Sequence, residues 1–548
     1  MLFVLLLIIV QVLVSAGIGH WLISRGFGQN QHPLEFNIIL GLGFIGIIGH
    51  CYSLYAPIGW GFKLTIIIGG LMALSDNTFL EQISRYKQRL IHQPLYKNIL
   101  LLLLVLVACF LAAGPIIRDD SESYHLQNIL WIKSYGTVPG LANLHSRYGF
   151  NSIWFHTVAT LVPEGQLNYY TTPNALLSIV IASFLSVPID SKNNLSNTAP
   201  TLLTLFLHIA IWYYWRGNAQ STNYDYYYMT AVVIFFIHFT NQRKKKYEWE
   251  PWAIWIPPIL FCIRPLYAPA LIFSIIGIIS YWKVRRYAKS ILFTCGILTI
   301  ILLFLYRNYV LTGYPLFPST LIKFSGTIWK MPQDQVDQLY EYIRNYTFER
   351  KNDTIKALKI WFNEMYLYDI IFMVLGMCGI FWDLILTILN KNTTKIIWTF
   401  YFVLQIAIWI FISPEPRFIS GIFAVGHFLL FMKISVILKI QKSNIIMPTL
   451  ILTMIFSLCI ISINKIKNET SKYMNFLVPH EIPNPETHTF TWEGNKIQIP
   501  EKLDGNWNPR CYLIAPPCVY DSLPGIKMLG DKIENGFYVD KRYKRNIP

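Results

Sequence analysis

Residues 99–125 of the chain read ILLLLLVLVACFLAAGPIIRDDSESYH and change abruptly from apolar to acidic. The apolar part, residues 99–117, approaches the roughly 20 residues that a helix needs to cross a bilayer. Asp119, Asp120 and Glu122 follow directly. Acidic side chains beside a membrane-spanning segment indicate a functional site by default. We therefore expect a membrane protein with a site just outside the bilayer.

The composition indicates that most of the chain lies in lipid. Of its 548 residues, 54% are hydrophobic and 14% are charged, and the mean hydropathy is +0.40. Soluble domains carry about 25% charged residues. The formal net charge of +16 comes largely from short basic clusters between apolar runs, as expected for the cytoplasmic loops of a membrane protein. We expect contacts with anionic membrane lipids and no nucleic-acid partner.

The hydropathy pattern predicts an all-α polytopic membrane protein with about 11–13 transmembrane helices. The predicted spans are residues 2–24, 35–55, 57–75, 98–116, 173–189, 200–216, 225–240, 289–307, 367–389, 395–413, 417–438 and 446–464. Residues 151–162 are expected to form a short helix that enters only one leaflet. The Pro-rich residues 248–282 are expected to form a hairpin of two short helices, which is tolerated where it lines a cavity.

Basic clusters assign the predicted loops to the two sides of the membrane. The loops assigned to the cytoplasm contain Arg85, Lys87, Arg89, Lys97, Lys192, Arg243, Lys244, Lys245, Lys246, Lys283, Arg285, Arg286, Lys391, Lys395, Lys439 and Lys442. Two large loops, residues 117–149 and 308–365, then lie on the external side. Residues 1–464 are predicted to form a transmembrane domain, and residues 465–548 a small external C-terminal domain.

Three polar segments fall on this external face: residues 118–125, 307–318 and 413–418. Asp120 is a candidate general base, because burial would raise the pKa of its carboxyl group toward neutrality. Asp119 is a candidate second carboxylate that assists it, binds a divalent cation or orients an acceptor. Arg307 and Arg417 are candidate ligands of a phosphate group, which a guanidinium binds in a bidentate manner.

Each of these segments also has a structural interpretation that the sequence leaves open. Asp119 or Asp120 can cap a helix. Arg307 can anchor its helix at the lipid head groups. Glu415 can form an ion pair with Arg417 at the tip of a loop.

Three histidines, His125, His145 and His156, accompany the acidic residues and raise the alternative of a metal site. No pair of them has the helical spacing of a zinc motif, so hydrogen bonding is their expected role. A divalent cation remains an open cofactor without an assigned ligand set.

Three further features have more local consequences. Leu126, Ile129, Leu130 and Ile132 predict a helix lying along the membrane surface, followed by a turn at residues 134–140. Arg264 interrupts an apolar run and is expected to make a structural or lipid contact. Cys511 and Cys518 either form a disulfide, which an oxidising exterior permits, or pack as two thiols.

The ordered set of motifs resembles a known superfamily. The motifs are Arg118-Asp119-Asp120 with Tyr124-His125, Tyr135-Gly136 with Pro139 to His145, Arg147, Asn151, Ser152, Arg307-Asn308, Thr312-Gly313 with Pro315 and Phe317-Pro318, Glu415-Pro416-Arg417-Phe418, and the tail cysteines. Over residues 99–530 the chain resembles the C-type (GT-C) glycosyltransferase superfamily, which includes protein O-mannosyltransferases and the aminoarabinose transferases of lipid A. The pattern is most similar to an uncharacterised bacterial branch.

The resemblance implies a fold of many membrane helices with an external catalytic face. In the aminoarabinose transferases the acidic motif is Asp-Glu, with a Tyr four residues after the Asp. Here Asp120 and Tyr124 keep this spacing, Ser121 replaces the Glu, and Asp119 or Glu122 would take its place.

The expected function is a membrane glycosyltransferase of the cytoplasmic (inner) membrane, acting on its external face. It would move a hexosyl or pentosyl group from a polyprenyl-phosphate donor to a glycan, lipid or protein acceptor. Asp120 and Asp119 are the expected catalytic residues. The expected substrate-binding residues are Glu122, Tyr124, His125, His145, Arg147, Arg307, Glu415 and Arg417.

Three alternatives belong to other classes. A flippase or transporter of lipid-linked saccharides would carry charges buried within its spans, for which Arg264 is the clearest candidate. A surface-polysaccharide polymerase or ligase on another membrane fold would also use external arginines. A catalytically inactive relative would serve as a scaffold.

Overall fold

The protein is described by a computed structural model that covers residues 1–27, 32–93, 95–186, 218–241, 251–322, 324, 326–346, 348, 354–390, 393–437, 478–503, 509–520 and 525–540. The predicted spans 200–216 and 446–464 lie outside the described residues. So do the basic residues Lys192, Arg243, Lys244, Lys245, Lys246, Lys391, Lys439 and Lys442.

The described chain is mainly helical. Its helices in the first half are α1 (Leu2–Phe27), α2 (Leu34–Ser53), α3 (Trp60–Leu71), α4 (Asn77–His92), α5 (Leu95–Ala113), α6 (Leu126–Ser134), α7 (Ile153–Leu161), α8 (Thr172–Ser186) and α9 (Asp225–Asn241). The second half contributes α10 (Pro251–Ile263), α11 (Leu271–Lys283), α12 (Tyr287–Thr312), α13 (Gln333–Tyr346), α14 (Thr354–Glu364), α15 (Leu367–Asn390), α16 (Thr393–Ile412) and α17 (Ser420–Ile437).

Several of these helices have the length and composition of membrane spans. Among the described residues, six helices are long and apolar enough to cross a membrane, or up to seven if one bent pair is counted. Five shorter apolar helices accompany them: Lys97–Ala113, Thr172–Leu185, Asp225–Phe239, Pro251–Ile263 and Ile396–Ile412. The helical, multi-span character expected from the sequence is therefore confirmed.

The third predicted span differs from the expectation. Helix α3 and a short 3₁₀ turn end at Ser75, and the chain then bends by 79° into α4. Asp76 caps α4, because its Oδ1 accepts a hydrogen bond of 2.8 Å from the Thr78 N–H. The predicted basic loop around Arg85 is thus an amphipathic helix. It buries Phe79, which explains why this polar stretch is ordered.

The hairpin expected at residues 248–282 is present as α10 and α11, joined by a 3₁₀ helix at Pro265–Ala270. The short helix expected at 151–162 is present as α7, and every one of its residues is buried. It packs on α2 and α6. Protein therefore surrounds α7 more completely than the predicted position in one leaflet implied.

Glycines bring some helices into close contact. A Cβ atom at Gly379 of α15 would lie 1.8 Å from the carbonyl oxygen of Gly426 in α17. A Cβ atom at Gly41 of α2 would lie equally close, 1.8 Å, to the carbonyl oxygen of Ser15 in α1. Small residues at such crossings are typical of membrane helices, where backbones approach without a strong hydrophobic driving force.

Helix α6 does not lie on a lipid surface as expected. Seven of its residues are buried: Leu126, Gln127, Asn128, Ile129, Trp131, Ile132 and Lys133. The reason is that α7 covers it on one side and the C-terminal segment on another. The apolar spacing correctly predicted a helix with a buried face, but it carried no information about what covers that face.

The C-terminal segment contains the described strands. Strands β1 (Thr487–Trp492) and β2 (Asn495–Pro500) form one antiparallel pair, and β3 (Ile526–Met528) and β4 (Phe537–Val539) form another. The second pair docks on the predicted turn at residues 134–140, where the Phe537 N–H donates to the Pro139 carbonyl oxygen at 2.9 Å. The segment therefore packs on the helical part of the protein.

Candidate functional site

A cavity of about 2390 Å³ lies where the three predicted polar segments meet. Its charged lining residues are Arg118, Asp119, Asp120, Glu122, Arg147, Asp225, Arg264, Glu364, Asp369, Glu415, Arg417 and Arg510. Residues between α12 and α15, many of them on α13, add an aromatic and apolar wall: Leu316, Phe317, Leu321, Met331, Leu339, Tyr340, Tyr342, Ile343, Tyr346, Trp361, Met365 and Tyr366. The cavity is thus suited to a ligand with both a charged and an apolar part.

The acidic segment is fixed by a short stretch that precedes α9. The Ile117 N–H donates to the Gln220 carbonyl oxygen at 3.2 Å, and the Thr222 N–H donates to Ser121 Oγ at 3.1 Å. Residues Ser121–His125 form a π-helical turn. Such turns occur frequently at functional sites, and this one directs the acidic side chains into the cavity.

Asp120 lies between two arginines inside the cavity. Its Oδ2 is 2.7 Å from Arg417 Nη2 and its Oδ1 is 3.6 Å from Arg147 Nη1. Burial raises the pKa of this carboxyl group, but attraction to Arg417 and Arg147 outweighs burial and lowers it well below its ordinary value. The expectation that the pKa of Asp120 is raised toward neutrality is therefore wrong. The carboxylate is ionised and paired.

The end of α16 and a 3₁₀ turn at Pro416–Ile419 position Arg417. Trp409 donates its indole N–H to the Glu415 carbonyl oxygen at 2.8 Å and fixes this turn. The Glu415–Arg417 ion pair that the sequence suggested is present at 3.9 Å. This distance is longer than the 2.7 Å between Arg417 and Asp120, so the main ion pair of Arg417 is with Asp120 in the cavity.

A second charge pair, which the sequence interpretation missed, lines the same cavity. Asp225 Oδ1 is 3.0 Å from Arg264 Nη1 and accepts a hydrogen bond of 2.8 Å from the Tyr267 hydroxyl. The Arg264 guanidinium carbon lies 3.6 Å from the centre of the Phe418 ring. Arg264 therefore makes the expected structural contact, but it does so at the cavity beside Arg417. The sequence feature that could have indicated a place at the cavity is the position of Arg264 directly before Pro265, where the helix breaks.

Tyr124 and His125 are buried beside Asp120. The Arg147 guanidinium carbon lies 5.5 Å from the centre of the Tyr124 ring. His125 Nδ1 is 3.1 Å from Thr222 Oγ1, and its Nε2 has no hydrogen-bond partner among the described residues. Burial lowers the pKa of His125 to about 3, against an opposing attraction to Asp120, so the imidazole is neutral near pH 7.

His145 lies at the cavity wall, with its ring centre 4.6 Å from that of Tyr520. His156 lies in α7 and its Nε2 is 3.0 Å from Ser53 Oγ. Across the parts of the chain that the structure describes, no group of three or more His, Cys, Asp or Glu residues is arranged to hold a metal ion.

Arg307 is not among the residues that line the cavity, whereas Arg417, the other predicted phosphate ligand, is. Helix α12 continues to Thr312, so Arg307 is inside the helix and is only 3% exposed. Its Nε donates to Thr137 Oγ1 at 2.9 Å and its Nη1 donates to Asn151 Oδ1 at 2.7 Å. Arg307 thus holds the segments around Thr137 and Asn151 together, while the neighbouring Asn308 lines the cavity.

The C-terminal segment contributes a residue that the sequence interpretation also missed. Arg510 forms ion pairs with Asp119 and Glu122. It directly precedes Cys511, which is bridged to Cys518. The disulfide alternative is therefore the one that the structure adopts. Spacing gave no signal for Arg510, because 388 residues separate it from Glu122.

The fold and the cavity define a mainly helical protein with several candidate membrane spans and a charged cavity. The chain belongs to the family described as a domain of unknown function (DUF8201), whose model matches residues 1–424. No curated protein and no solved structure matches the chain. The matched residues include Asp120, Arg147, Arg264 and Arg417 of the cavity, whereas Arg510 lies beyond them.

Proposed function

We propose that this protein is a GT-C-like membrane glycosyltransferase that uses a polyprenyl-phosphate sugar as its donor. The observation that carries the proposal is the Asp120–Arg147–Arg417 cluster, which lies in one cavity with an extensive aromatic and apolar wall. A lipid-linked donor combines a charged phosphate, a polar sugar and an apolar chain. Each part has a matching surface in this cavity.

The donor phosphate would bind at Arg417 and Arg147. Guanidinium groups bind phosphate in a bidentate manner and keep their charge at all relevant pH values. The neighbouring guanidinium of Arg264 is stacked on Phe418 and adds positive potential on the same side. A bound phosphate competes with Asp120 for both of its arginine partners.

This competition gives Asp120 its role as a base. When Arg417 turns toward the phosphate, the carboxylate loses the attraction that lowers its pKa, so its proton affinity rises. Donor binding therefore prepares the base at the moment when it is needed. An anionic phosphate beside the carboxylate raises the pKa of Asp120 further, because two negative charges repel each other.

The reaction we propose is a single displacement with inversion at the sugar. The acceptor hydroxyl oxygen forms a bond to the anomeric carbon, while the bond between that carbon and the phosphate oxygen breaks. The electron pair leaves with the lipid phosphate, which Arg147 and Arg417 stabilise, and the hydroxyl proton goes to Asp120. Positioning and charge stabilisation supply most of the rate, because phosphate is already a good leaving group.

The other predicted residues have supporting places in this scheme. His125 is neutral and lines the cavity, so its Nε2 is suited to bind a sugar hydroxyl. Tyr124 stacks against the Arg147 guanidinium, and Glu415 contacts Arg417. Arg307 acts indirectly in this proposal, by holding Thr137 and Asn151, of which Asn151 lines the cavity.

We further propose that the cavity faces the external side of the cytoplasmic membrane and that the full chain has about 11–13 spans. The Cys511–Cys518 bridge supports this orientation, because disulfides persist in oxidising compartments. The exposed Arg285 and Arg286, in the turn between α11 and α12, support a cytoplasmic location for that turn.

Replacement of Asp120 by Asn tests the proposal. Purified protein in liposomes is supplied with labelled polyprenyl-phosphate hexose or pentose and with acceptor-containing membrane extract. We expect D120N to lower kcat by about 10²–10⁴-fold, the usual contribution of a general base. Binding of the donor should persist, because both arginines remain.

The matched control is Glu501→Gln, the same chemical change at a half-exposed carboxylate that pairs with His488 outside the cavity. This variant should transfer sugar at the wild-type rate. Wild-type turnover in D120N would refute the assigned role of Asp120.

A further inference from the structure

The C-terminal segment supplies an arginine to the cavity from outside the matched family residues 1–424. Arg510 is only 8% exposed. Its Nη2 pairs with Asp119 Oδ1 and its Nη1 pairs with Glu122 Oε2. Pro509 and Tyr520 of the same segment also line the cavity. The wall of the cavity is therefore incomplete without this segment.

The charge pattern of the acidic segment explains why this contribution matters. Three carboxylates occur within four residues, at positions 119, 120 and 122. The family-matched helical part supplies Arg147 and Arg417 to Asp120. Arg510 contacts the other two carboxylates. Without Arg510, the carboxylates of Asp119 and Glu122 at the edge of the cavity would repel an anionic ligand.

Arg510 is held by a rigid and specifically docked loop. The Cys511–Cys518 bridge closes the loop, and Gln127 of α6 donates to the carbonyl oxygens of Tyr512 and Ile514 at 3.2 and 2.9 Å. The Tyr148 hydroxyl donates to the Cys518 carbonyl oxygen at 3.3 Å. These contacts fix the backbone at position 511, so the guanidinium of the preceding residue has a defined place.

We propose that Arg510 is a specificity-determining residue that lets the cavity accept an amphiphile with a phosphate head group. It does so by neutralising Asp119 and Glu122, so that the approaching anion meets balanced charge. The inference rests on the proposed function only in taking the ligand to be a lipid-linked phosphate. It adds that a segment outside the family domain selects for the charge of this ligand.

The test compares binding of farnesyl phosphate and of the uncharged farnesol to the purified full-length protein in a neutral detergent, followed by tryptophan fluorescence. We expect Arg510→Ala to raise the Kd for farnesyl phosphate roughly tenfold, as loss of a partner from a partly buried charge cluster does. The Kd for farnesol should change less than about twofold.

A second variant separates charge from structure. In Arg510→Ala combined with Asp119→Asn and Glu122→Gln, the repelling carboxylates are gone, so we expect farnesyl phosphate to bind nearly as tightly as to the wild type. The matched control Lys527→Ala removes an ion pair with Asp540 in the same segment but away from the cavity, and should leave both Kd values unchanged.

Wild-type affinity for farnesyl phosphate in R510A would overturn the inference. Equal weakening for both ligands, without recovery in the triple variant, would overturn it as well, because it would indicate a structural role. The outcome is independent of catalysis. Charge-dependent binding in a protein that transfers no sugar would leave this inference standing and remove the proposed function. Sugar transfer by a protein whose ligand binding does not depend on Arg510 would leave the proposed function standing and remove this inference.

Discussion

Asp120 shows how the partners of a residue determine its chemistry. It lies 2.7 Å from Arg417 and 3.6 Å from Arg147, and the two positive charges make its carboxylate a weak base in this arrangement. A ligand that draws these arginines away would turn the same group into a stronger base. In the proposed mechanism, the basicity of Asp120 therefore depends on whether the donor phosphate holds its two arginine partners.

His125 leads to a prediction about the dependence of stability on pH. Its pKa in the folded protein is about 3, whereas an ordinary histidine titrates near 6.5. Between these values the unfolded chain binds more protons, so stability is complete above about pH 6.5 and falls as the pH is lowered, by up to about 1.4 kcal/mol per pH unit. We expect His125→Gln to reduce the slope of this dependence in thermal unfolding measured from pH 4.5 to 7, while the buried His156, whose pKa is also lowered well below its ordinary value, maintains part of it.

Replacement of the exposed His488 by Gln is the control for the loss of a histidine outside the cavity. The pH range from 4.5 to 7 distinguishes the contribution of His125 to stability from that of Asp120. The lowered carboxyl pKa of Asp120 removes stability only below about pH 4, where the unfolded carboxyl group gains its proton. An unchanged slope in His125→Gln would show that other groups cause the acid sensitivity.

At the residue scale, sequence reasoning identified residue types better than their partners. The sequence correctly predicted that Asp120 and Arg417 lie close together, because three polar segments were expected on one face of the membrane. Arg307 was expected with them, but its helix is one turn longer than predicted, which moves its side chain into the protein interior. Arg510 was missed, because no periodicity or spacing rule relates residues so far apart in the chain.

At the scale of elements, the C-terminal segment depends on the turn at residues 134–140. Gly140 has φ +64°, and a Cβ atom there would lie 2.0 Å from the Phe537 carbonyl oxygen. The Gly140 N–H also donates to the Val310 carbonyl oxygen at 2.8 Å. One glycine therefore joins α12, the turn at residues 134–140 and strand β4.

This arrangement predicts that Gly140→Ala loosens the C-terminal segment. The substitution combines an unfavourable backbone conformation, about 1–2 kcal/mol for a non-glycine residue, with a steric clash. We expect amide hydrogen exchange in residues 526–539 to become roughly tenfold faster, while α15 and α17 stay protected.

The control is Gly494→Ala, which has a similar positive φ of +81° but no atom within 4 Å of the added Cβ. It should leave exchange in strand β4 unchanged. Equal effects of the two substitutions would mean that backbone conformation alone, and not the docking contact, is responsible.

The elements themselves were largely predictable from hydropathy, because long apolar runs have few alternatives to helices in lipid. The bend of 79° before α4 could not be predicted in this way. The basic residues around Arg85 identify a polar segment, but they do not distinguish a loop from an amphipathic helix. The burial of α6 was also missed, since it depends on the C-terminal segment that covers it.

At the scale of the whole molecule, the proposed orientation can be tested by labelling. In a variant whose cysteines other than Cys511 and Cys518 are replaced by Ala, Glu534→Cys introduces a thiol beside strand β4, and Arg286→Cys introduces one between α11 and α12. We expect a membrane-impermeant maleimide to label position 534 in intact cells. Position 286 should react only after the membrane is permeabilised.

Labelling of both positions from the same side would contradict the orientation and with it the external location of the cavity. Exposed apolar side chains such as Leu292, Leu302 and Phe411 are the surface that such an orientation would place in contact with lipid.

The ion pairs of Arg510 also have a consequence for biosynthesis. The arginine is made 391 residues after Asp119, which at about 5–20 residues per second corresponds to roughly 20–80 s of translation. During this interval the acidic segment must depend on water for compensation, while the intervening helices are synthesised around it. A truncated chain that ends before residue 510 would lack the arginine partner of Asp119 and Glu122 and would leave this edge of the cavity uncovered.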